Sequence, residues 1–470
     1  MNIKLASNEV IHFIGIGGIG MSGLALVMKN MGFKVQGSDI SFNQNIGRLK
    51  NLGVKVFLGH RHKNLKNSTV VVFSSAIKNN NSELRFAKKN KLPIYKRGDM
   101  LAHIVSLKKN IVISGSHGKT TTTSLISSIL YFSKIDATVI NGGVINHFQS
   151  SAKLGKSEWG VIESDESDGS FLKIPITYSV VTNIDEEHLD FYKKFNNLLK
   201  SFKKFIEKTP PFGKSFICLD DINNQSLIKK LNIKNFQTYG FNKKSNFSII
   251  LKEKNLNFSK FDLKIKILGK KDKLIQNFQI PLLGDHNIKN ATAAIVVALT
   301  IGIDITHIKN GLKNFSGVQR RFNKIFSHKK IDFYDDYAHH PTEINELLNG
   351  VKSVIKNRKI ICVFQPHRYS RLNSLKNKFS KSFKFADEVV LCPVYSAGEK
   401  IDKSFDSYLF GNLIARNSNV RLIIINSEND LFNYFKKNLF SNELVICMGA
   451  GSISSWIKII AKKNEYFKKS

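Results

Sequence analysis

The stretch Ser114-Gly115-Ser116-His117-Gly118-Lys119-Thr120-Thr121-Thr122-Thr123 constrains the fold more than any other part of the 470-residue chain. An apolar run, Ile111-Val112-Ile113, precedes it. After it, Leu125, Ile126, Ile129 and Leu130 fall at helical spacing. The glycines therefore mark a strand-to-helix turn. Glycine lets the backbone curl so that several N–H groups point inward, and a helix N-terminus adds partial positive charge. Such a turn cradles phosphate. Lys119 would reach the terminal phosphates as a point charge, and the Thr120 hydroxyl is placed for Mg2+. The common phosphate loop carries a glycine five residues before Gly118, where this chain has Ile113. The motif is the shorter G-x-x-G-K-T-T. A plain Gly/Ser/Thr helix cap is the alternative, and a Lys-Thr pair directly behind glycine argues against it.

A chain of this length predicts two to four domains, with three favoured. Apolar runs alternate with amphipathic segments almost throughout, which predicts an α/β fold. The formal net charge is +36, a value that raises nucleic-acid binding as a possibility. The lysines, however, are spread over the whole chain, and Asn, Ile and Phe are abundant as well. A bias toward A/T-rich codons accounts for this, and no nucleic-acid partner is expected. Cys218, Cys362, Cys392 and Cys447 each lie in or beside an apolar run, without metal-type spacing. Buried thiols in a reducing, cytoplasmic compartment are expected. Residues 10–28 are nearly uncharged, yet they contain Gly15, Gly17, Gly18, Gly20 and Gly23. They divide into strand, turn and helix and predict no membrane anchor.

Gly15, Gly17 and Gly20 meet the G-x-G-x-x-G spacing, between an apolar run at 10–14 and a helix at 21–31. A second strand ends at Asp39, 19 residues after Gly20, where a dinucleotide enzyme places its ribose ligand. A further strand ends at Ser74. This is a Rossmann-type half. Its turn suits NAD or the diphosphate of another nucleotide. A basic, polar connection at 103–109 is expected to close the region.

Two strand candidates follow the phosphate turn. One runs into Glu163-Ser164-Asp165-Glu166-Ser167-Asp168, the other into Thr182-Asn183-Ile184-Asp185-Glu186-Glu187-His188. In an open parallel sheet, ligands gather at the carboxyl ends of strands. Both acidic tips should therefore share a rim with Lys119. Acids are scarce, 36 against 72 basic residues, which makes their concentration at two strand ends a candidate Mg2+ site. Residues 261–267 alternate apolar with polar, as in half-exposed antiparallel strands. Leu283-Gly284-Asp285-His286-Asn287 then leads a helix expected to start near Ala291. A third α/β region begins near Ser316. It carries Arg321, Asp336-Tyr337-Ala338-His339-His340-Pro341-Thr342-Glu343 and His367-Arg368-Tyr369-Ser370-Arg371. A helix is expected from Pro341.

Taken together, Gly115 to Thr121, the run from Glu163, Thr182-Asn183-Ile184 through His188, Gly284-Asp285-His286-Asn287 with Asn290, and Arg321 resemble the Mur ligases. The glycine run at 15–23 and the two histidine-bearing stretches are similar to the alanine-adding branch of that family. The resemblance runs in order along essentially the full chain. A recycling branch that attaches a peptide shares the N-terminal fingerprint and a similar His-His-Pro motif. A substrate panel separates the two. An NAD-dependent dehydrogenase would leave the phosphate turn and both acidic tips unexplained. Ser116 stands where the family often has Thr, an exchange of one small hydroxyl for another.

The resemblance implies an α/β fold of three domains. These are a Rossmann-like UDP-sugar-binding domain at 1–106, a central P-loop ATPase-like domain with a mixed sheet at 107–315, and a Rossmann-like amino-acid-binding domain at 316–470. It implies ATP-dependent joining of L-alanine to the lactyl carboxylate of UDP-N-acetylmuramate through an acyl phosphate, with Mg2+. By motif, Gly115, Ser116, His117, Gly118, Lys119, Thr120 and Thr121 would hold the ATP phosphates. Thr120 and Glu163 would bind one Mg2+, and Glu163 with His188 a second. Asn290 would face adenine, Arg321 the phosphates and Asp336 the ribose. Gly17, Gly18, Asp39 and Ser74 would hold UDP. Tyr337, His339, Arg368 and Arg371 would line the alanine end, where two arginines three apart suit a carboxylate.

Overall fold

A computed structural model describes residues 9–269 and 271–467. The chain forms two compact units. The first comprises residues 9–252, 260–281 and 287–318, the second 253–259, 282–286 and 319–467. Three sheets organise them, and all carry helices between parallel strands, as the alternating pattern predicts.

The first sheet has five parallel strands in the order Lys55–Leu58, Lys34–Asp39, Val10–Ile14, Val70–Phe73, Ile94–Lys96. The helix Ile19–Asn30 leaves the glycine turn and buries Met21, Leu24, Ala25, Val27 and Met28. The helix Arg97–Val105 continues three residues into the stretch expected to be a connection. Its buried Met100, Leu101 and Val105 face the same core as Ile11 and Phe13, and this packing outweighs the local polarity.

The second sheet has ten strands. Lys109–Ser114 lies between Tyr178–Val181 and Trp159–Glu163, parallel to both. Thr138–Ile145 pairs parallel to Trp159–Glu163 and antiparallel to Ser150–Lys153, so the sheet is mixed. Val112, Ile162, Val181, Phe202 and Phe205 join the apolar cluster that includes Ile11 and Phe13. The helix Asp285–Thr300 begins at Asp285 rather than near Ala291. Gly284, at φ +98°, turns the chain into it, and an acid in the first turn suits the positive end of the helix dipole.

In the second unit, Asn323–His328 pairs antiparallel with Ile331–Asp336. Four parallel strands then follow in the order Leu444–Met448, Ile360–Phe364, Glu388–Leu391, Arg421–Ile424. The helix Pro341–Lys352 starts at the proline as expected, closed by a capping box between His340 and Glu343. All four cysteines are buried and free. Among the described residues no helix is long and apolar enough to cross a membrane.

One buried polar knot holds the first sheet's loops. Glu83 is fully buried. It accepts from Ser38 Oγ at 2.5 Å, Asn64 Nδ2 at 2.6 Å and the Arg61 amide at 3.2 Å. His12 and His60 lie 3.4 Å from the same carboxylate. Burial alone would raise its pKa, but the hydrogen bonds of His12, His60 and Ser38 outweigh that and bring it from 4.5 down to about 2. A depressed carboxyl stabilises the fold above its unfolded pKa and ceases to do so as pH falls through the folded one. Glu83→Gln is therefore expected to cost about 3 kcal/mol at pH 7. The deficit should be full above pH 4.5 and shrink toward pH 2. Urea unfolding across that range measures it, and a deficit as large at pH 3 as at pH 7 contradicts the assignment.

Candidate phosphate and metal site

The strand order decides where the chemistry gathers. Ile113 pairs with Glu163 and Ser114 with Val181, so three adjacent parallel strands end at one edge. The phosphate turn leaves the middle strand there, flanked by the two acidic tips. Gly115 has φ +137° and Gly118 +83°, both left-handed. A Cβ at Gly115 would stand 2.1 Å from Thr182 Oγ1, and one at Gly118 2.6 Å from Asn290 Oδ1. The turn is strapped from the neighbouring strand end. The Ser116 amide donates to the Asn183 carbonyl at 2.9 Å and the His117 amide to Asn183 Oδ1 at 2.8 Å. Asn183 Nδ2 and Thr182 Oγ1 donate to the His117 carbonyl. His117 Nε2 lies 3.3 Å from Asp185. The helix Lys119–Phe132 starts directly behind Gly118, with Thr120 and Thr121 buried in its first turn.

Lys119 is the charge centre of this edge. Its ammonium donates to both oxygens of Glu166, at 3.0 and 2.9 Å, and to the carbonyls of Gly115 and Ser116. Burial works against the charged form, but the carboxylates of Glu166, Asp165 and Glu163 outweigh it and hold the lysine pKa well above its ordinary value. Thr120 Oγ1 donates to Glu163 Oε1 at 3.0 Å, and the Gly142 amide to Glu163 Oε2 at 2.6 Å. His188, at φ +56°, brings Nε2 to 3.4 Å from Glu166 Oε1. Burial works to lower its pKa, but the hydrogen bond and charge of Glu166, with the charges of Glu187 and Asp165, raise it overall.

The arrangement thus brings Thr120 to Glu163, and His188 to Glu166. The ligand atoms of Asp165, Glu166 and His188 lie within 4.8 Å of one another. Hard oxygen donors predominate, which fits Mg2+. Sequence reasoning gave Glu166 no role of its own, nor Asn183. The only available signal for Glu166 was its place three residues after Glu163 in an acidic run.

At the first sheet's edge, the Gly17 amide donates to Asp39 Oδ2 at 2.8 Å, and Asn43 Nδ2 and Asn45 Nδ2 donate to the Gly17 carbonyl. Gly18 closes the turn on the Gly15 carbonyl at 3.3 Å. Ser74 follows the neighbouring strand, its amide on the Ile14 carbonyl at 3.2 Å. Gly17, Gly18, Asp39 and Ser74 therefore share one strand-end rim.

In the second unit a polar cluster forms beyond the strand ends. The His339 ring meets Tyr337 at 5.1 Å and His367 at 5.7 Å, and His367 stacks on Tyr395. Arg371 lies 3.3 Å from His367 Nδ1. Burial, then the charges of Arg371 and Arg368, lower the His367 pKa to about 4. Arg368 has φ +70° and donates from Nε to Glu399 at 2.9 Å. Sequence reasoning had not singled out Glu399. Arg321 sits 5.5 Å from the Tyr337 ring and 3.7 Å from Glu343. Asp336 is buried and accepts from the Phe322 and Ala338 amides, each at 2.7 Å. Burial raises its pKa to about 6.

Comparison with known proteins agrees along nearly all of the chain. Residues 10–109 match the Mur ligase family catalytic domain, 113–298 the Mur ligase middle domain and 320–451 the Mur ligase glutamate ligase domain. The chain is 58% identical over 458 residues to the UDP-N-acetylmuramate–L-alanine ligase of Pelagibacter ubique, covering 97% of this chain and 99% of that protein. It is 40% identical to the enzyme of the same name from Brucella anthropi, covering 97% of each. Among solved structures, the UDP-N-acetylmuramate–alanine ligase of Thermotoga maritima superposes with TM-score 0.82 at 27% identity, over 97% of this chain and 99% of that one. A murein peptide ligase from Psychrobacter arcticus shares the fold, with TM-score 0.72 at 21% identity over 97% and 98%. The chain belongs to the Mur ligase family.

Proposed function

We infer that this protein joins L-alanine to the lactyl carboxylate of UDP-N-acetylmuramate in peptidoglycan precursor synthesis, with ATP as the energy source. The observation that carries this is the 58% identity, over 97% of the chain, to a ligase of that name. The partly buried cation and the carboxylates at the edge of the second sheet supply the matching chemistry. The domains are proposed to divide at 106/107 and 315/316. The compartment is proposed to be the cytoplasm, in keeping with four free buried thiols.

A carboxylate is a poor electrophile, and transfer of the ATP γ-phosphoryl group to it supplies a leaving group. The alanine amine then adds to the acyl carbon, and phosphate departs. The positive end of the helix Lys119–Phe132 and the Lys119 ammonium would bind the ATP phosphates and neutralise charge that develops in transfer. Thr120 with Glu163, and Glu163 with His188, would hold Mg2+, which would supply positive charge to offset that of the phosphates. Asn290 would face adenine, Arg321 the phosphates and Asp336 the ribose. Gly17, Gly18, Asp39 and Ser74 would hold the UDP end. Arg368 and Arg371 would bind the alanine carboxylate, with Tyr337 and His339 beside it. His367, with its pKa near 4, stays uncharged at neutral pH and leaves the carboxylate to the arginines.

The direct test is to incubate the protein with ATP, Mg2+, UDP-N-acetylmuramate and either each free amino acid or a tripeptide, and to weigh the products. Mass gain by one alanine is expected. A product formed only with the tripeptide would assign the recycling reaction instead. Lys119→Ala should lower ATP-dependent phosphate release by a hundredfold to a thousandfold, about 3–4 kcal/mol. Binding of the UDP-sugar, read by calorimetry, should be nearly unchanged. Arg371→Ala should raise KM for alanine far more than KM for ATP, and equal effects on both would refute the pocket.

A further inference from the structure

The contacts of Lys119 carry a consequence for how anions reach it. An ammonium has three N–H donors. Here it faces four acceptors: two Glu166 oxygens and the carbonyls of Gly115 and Ser116. A phosphate oxygen arriving at Lys119 must therefore take a donor from a group already bonded to it. The two carbonyls belong to the turn that the Thr182-Asn183 strap holds in place. Glu166 is the one partner on a rotatable side chain, and it is the one that bears charge. Two anions cannot share a partly buried cation without mutual repulsion. Nor is Glu166 left bare if it lets go, because His188 Nε2 stands 3.4 Å from its Oε1. Its backbone stays fixed meanwhile, since Tyr192 Oη and the Gly169 amide both donate to the Glu166 carbonyl.

We propose that Glu166 is a positioning residue, the internal counter-ion of Lys119, which a nucleotide's terminal phosphate must displace toward His188. The carboxylate keeps the lysine ordered and aimed across the turn, and it opposes phosphate binding by occupying the same donors. The proposal rests on the nucleotide reading of the phosphate turn above. It predicts an unusual sign. Removing the charge should tighten binding of a phosphate-bearing ligand and at the same time slow turnover, because His188 loses its partner. A residue that only stabilised the loop would weaken both when replaced.

The experiment compares the full-length protein with Glu166→Gln, using ADP and adenosine in EDTA, by titration calorimetry and ligand-detected NMR. ADP is expected to bind about tenfold more tightly to Glu166→Gln, equivalent to ~1.4 kcal/mol. Adenosine, which lacks phosphate, should change by less than about twofold. With ATP and Mg2+, kcat should fall. Unchanged or weaker ADP binding overturns the proposal, as does an equal gain for adenosine. Glu166→Asp keeps the charge and shortens the arm by one methylene, which guards against misfolding of the glutamine variant. It should hold ADP within about twofold of the parent, and a tenfold change there also overturns the proposal. Absence of ADP binding by the parent itself would overturn both this proposal and the nucleotide reading. Loss of binding in Lys119→Ala without a gain in Glu166→Gln would overturn the proposal alone.

Discussion

A lysine ammonium at a strand end, enclosed by carboxylates and carbonyls, has to be balanced charge for charge. Lys119 meets that condition through Glu166 directly and through Asp165 and Glu163 at longer range. The balance exists because Trp159–Glu163 lies beside Lys109–Ser114 and runs parallel to it. Reversing Trp159–Glu163 would carry these acids to the opposite edge and leave a largely buried cation uncompensated, a cost of several kcal/mol. Strand order and charge balance are therefore one constraint on this part of the molecule.

The two glycine turns of the first unit solve related problems with different means. At Gly115 to Gly118, left-handed glycines and the Asn183 strap leave a helix N-terminus and a cation at the rim. At Gly15 to Gly20, Asp39 takes the Gly17 amide with one oxygen and the Ile40 amide with the other. The acid that a dinucleotide enzyme turns toward a ribose is here bonded within its own turn. Beneath it, Ser38 reaches the Glu83 knot, so the residue next to Asp39 is tied to the domain interior.

The second unit shows the same economy of charge. Glu399 holds Arg368 and also bonds Ser370 in the first turn of the helix Tyr369–Ser380. One carboxylate thus orients an arginine in a left-handed conformation and supports the helix that presents Arg371. The overall charge of +36 says little about any of this. What matters locally is which few acids stand beside which few cations.

Much of the fold was legible from residue pattern. Apolar runs bounded by glycine marked the strands that end at Ile14, Ser114 and Met448, and one running into Thr182-Asn183 marked the strand that ends at Val181, because burial on both faces leaves a short uninterrupted hydrophobic signature. The glycine-lysine turn and the two acidic tips were legible too, since phosphate and metal chemistry restrict residue type. The start of the helix at Asp285 was not, because Asp285-His286-Asn287 has no apolar periodicity and gains its order from the left-handed turn at Gly284. Nor could the chain alone say which acid in the run from Glu163 to Asp168 faces Lys119. Side-chain direction beyond a strand end depends on coil dihedrals that only packing sets, here the hold of Tyr192 and Gly169 on the Glu166 carbonyl. Glu399 lies 31 residues from Arg368, and a contact at that separation leaves no mark in local spacing. Sequence determined which chemistries are present, through residue type and turn geometry. Tertiary structure decided their pairings, because Coulomb and hydrogen-bond energies depend on distances of a few ångströms that the chain fixes only once it is folded.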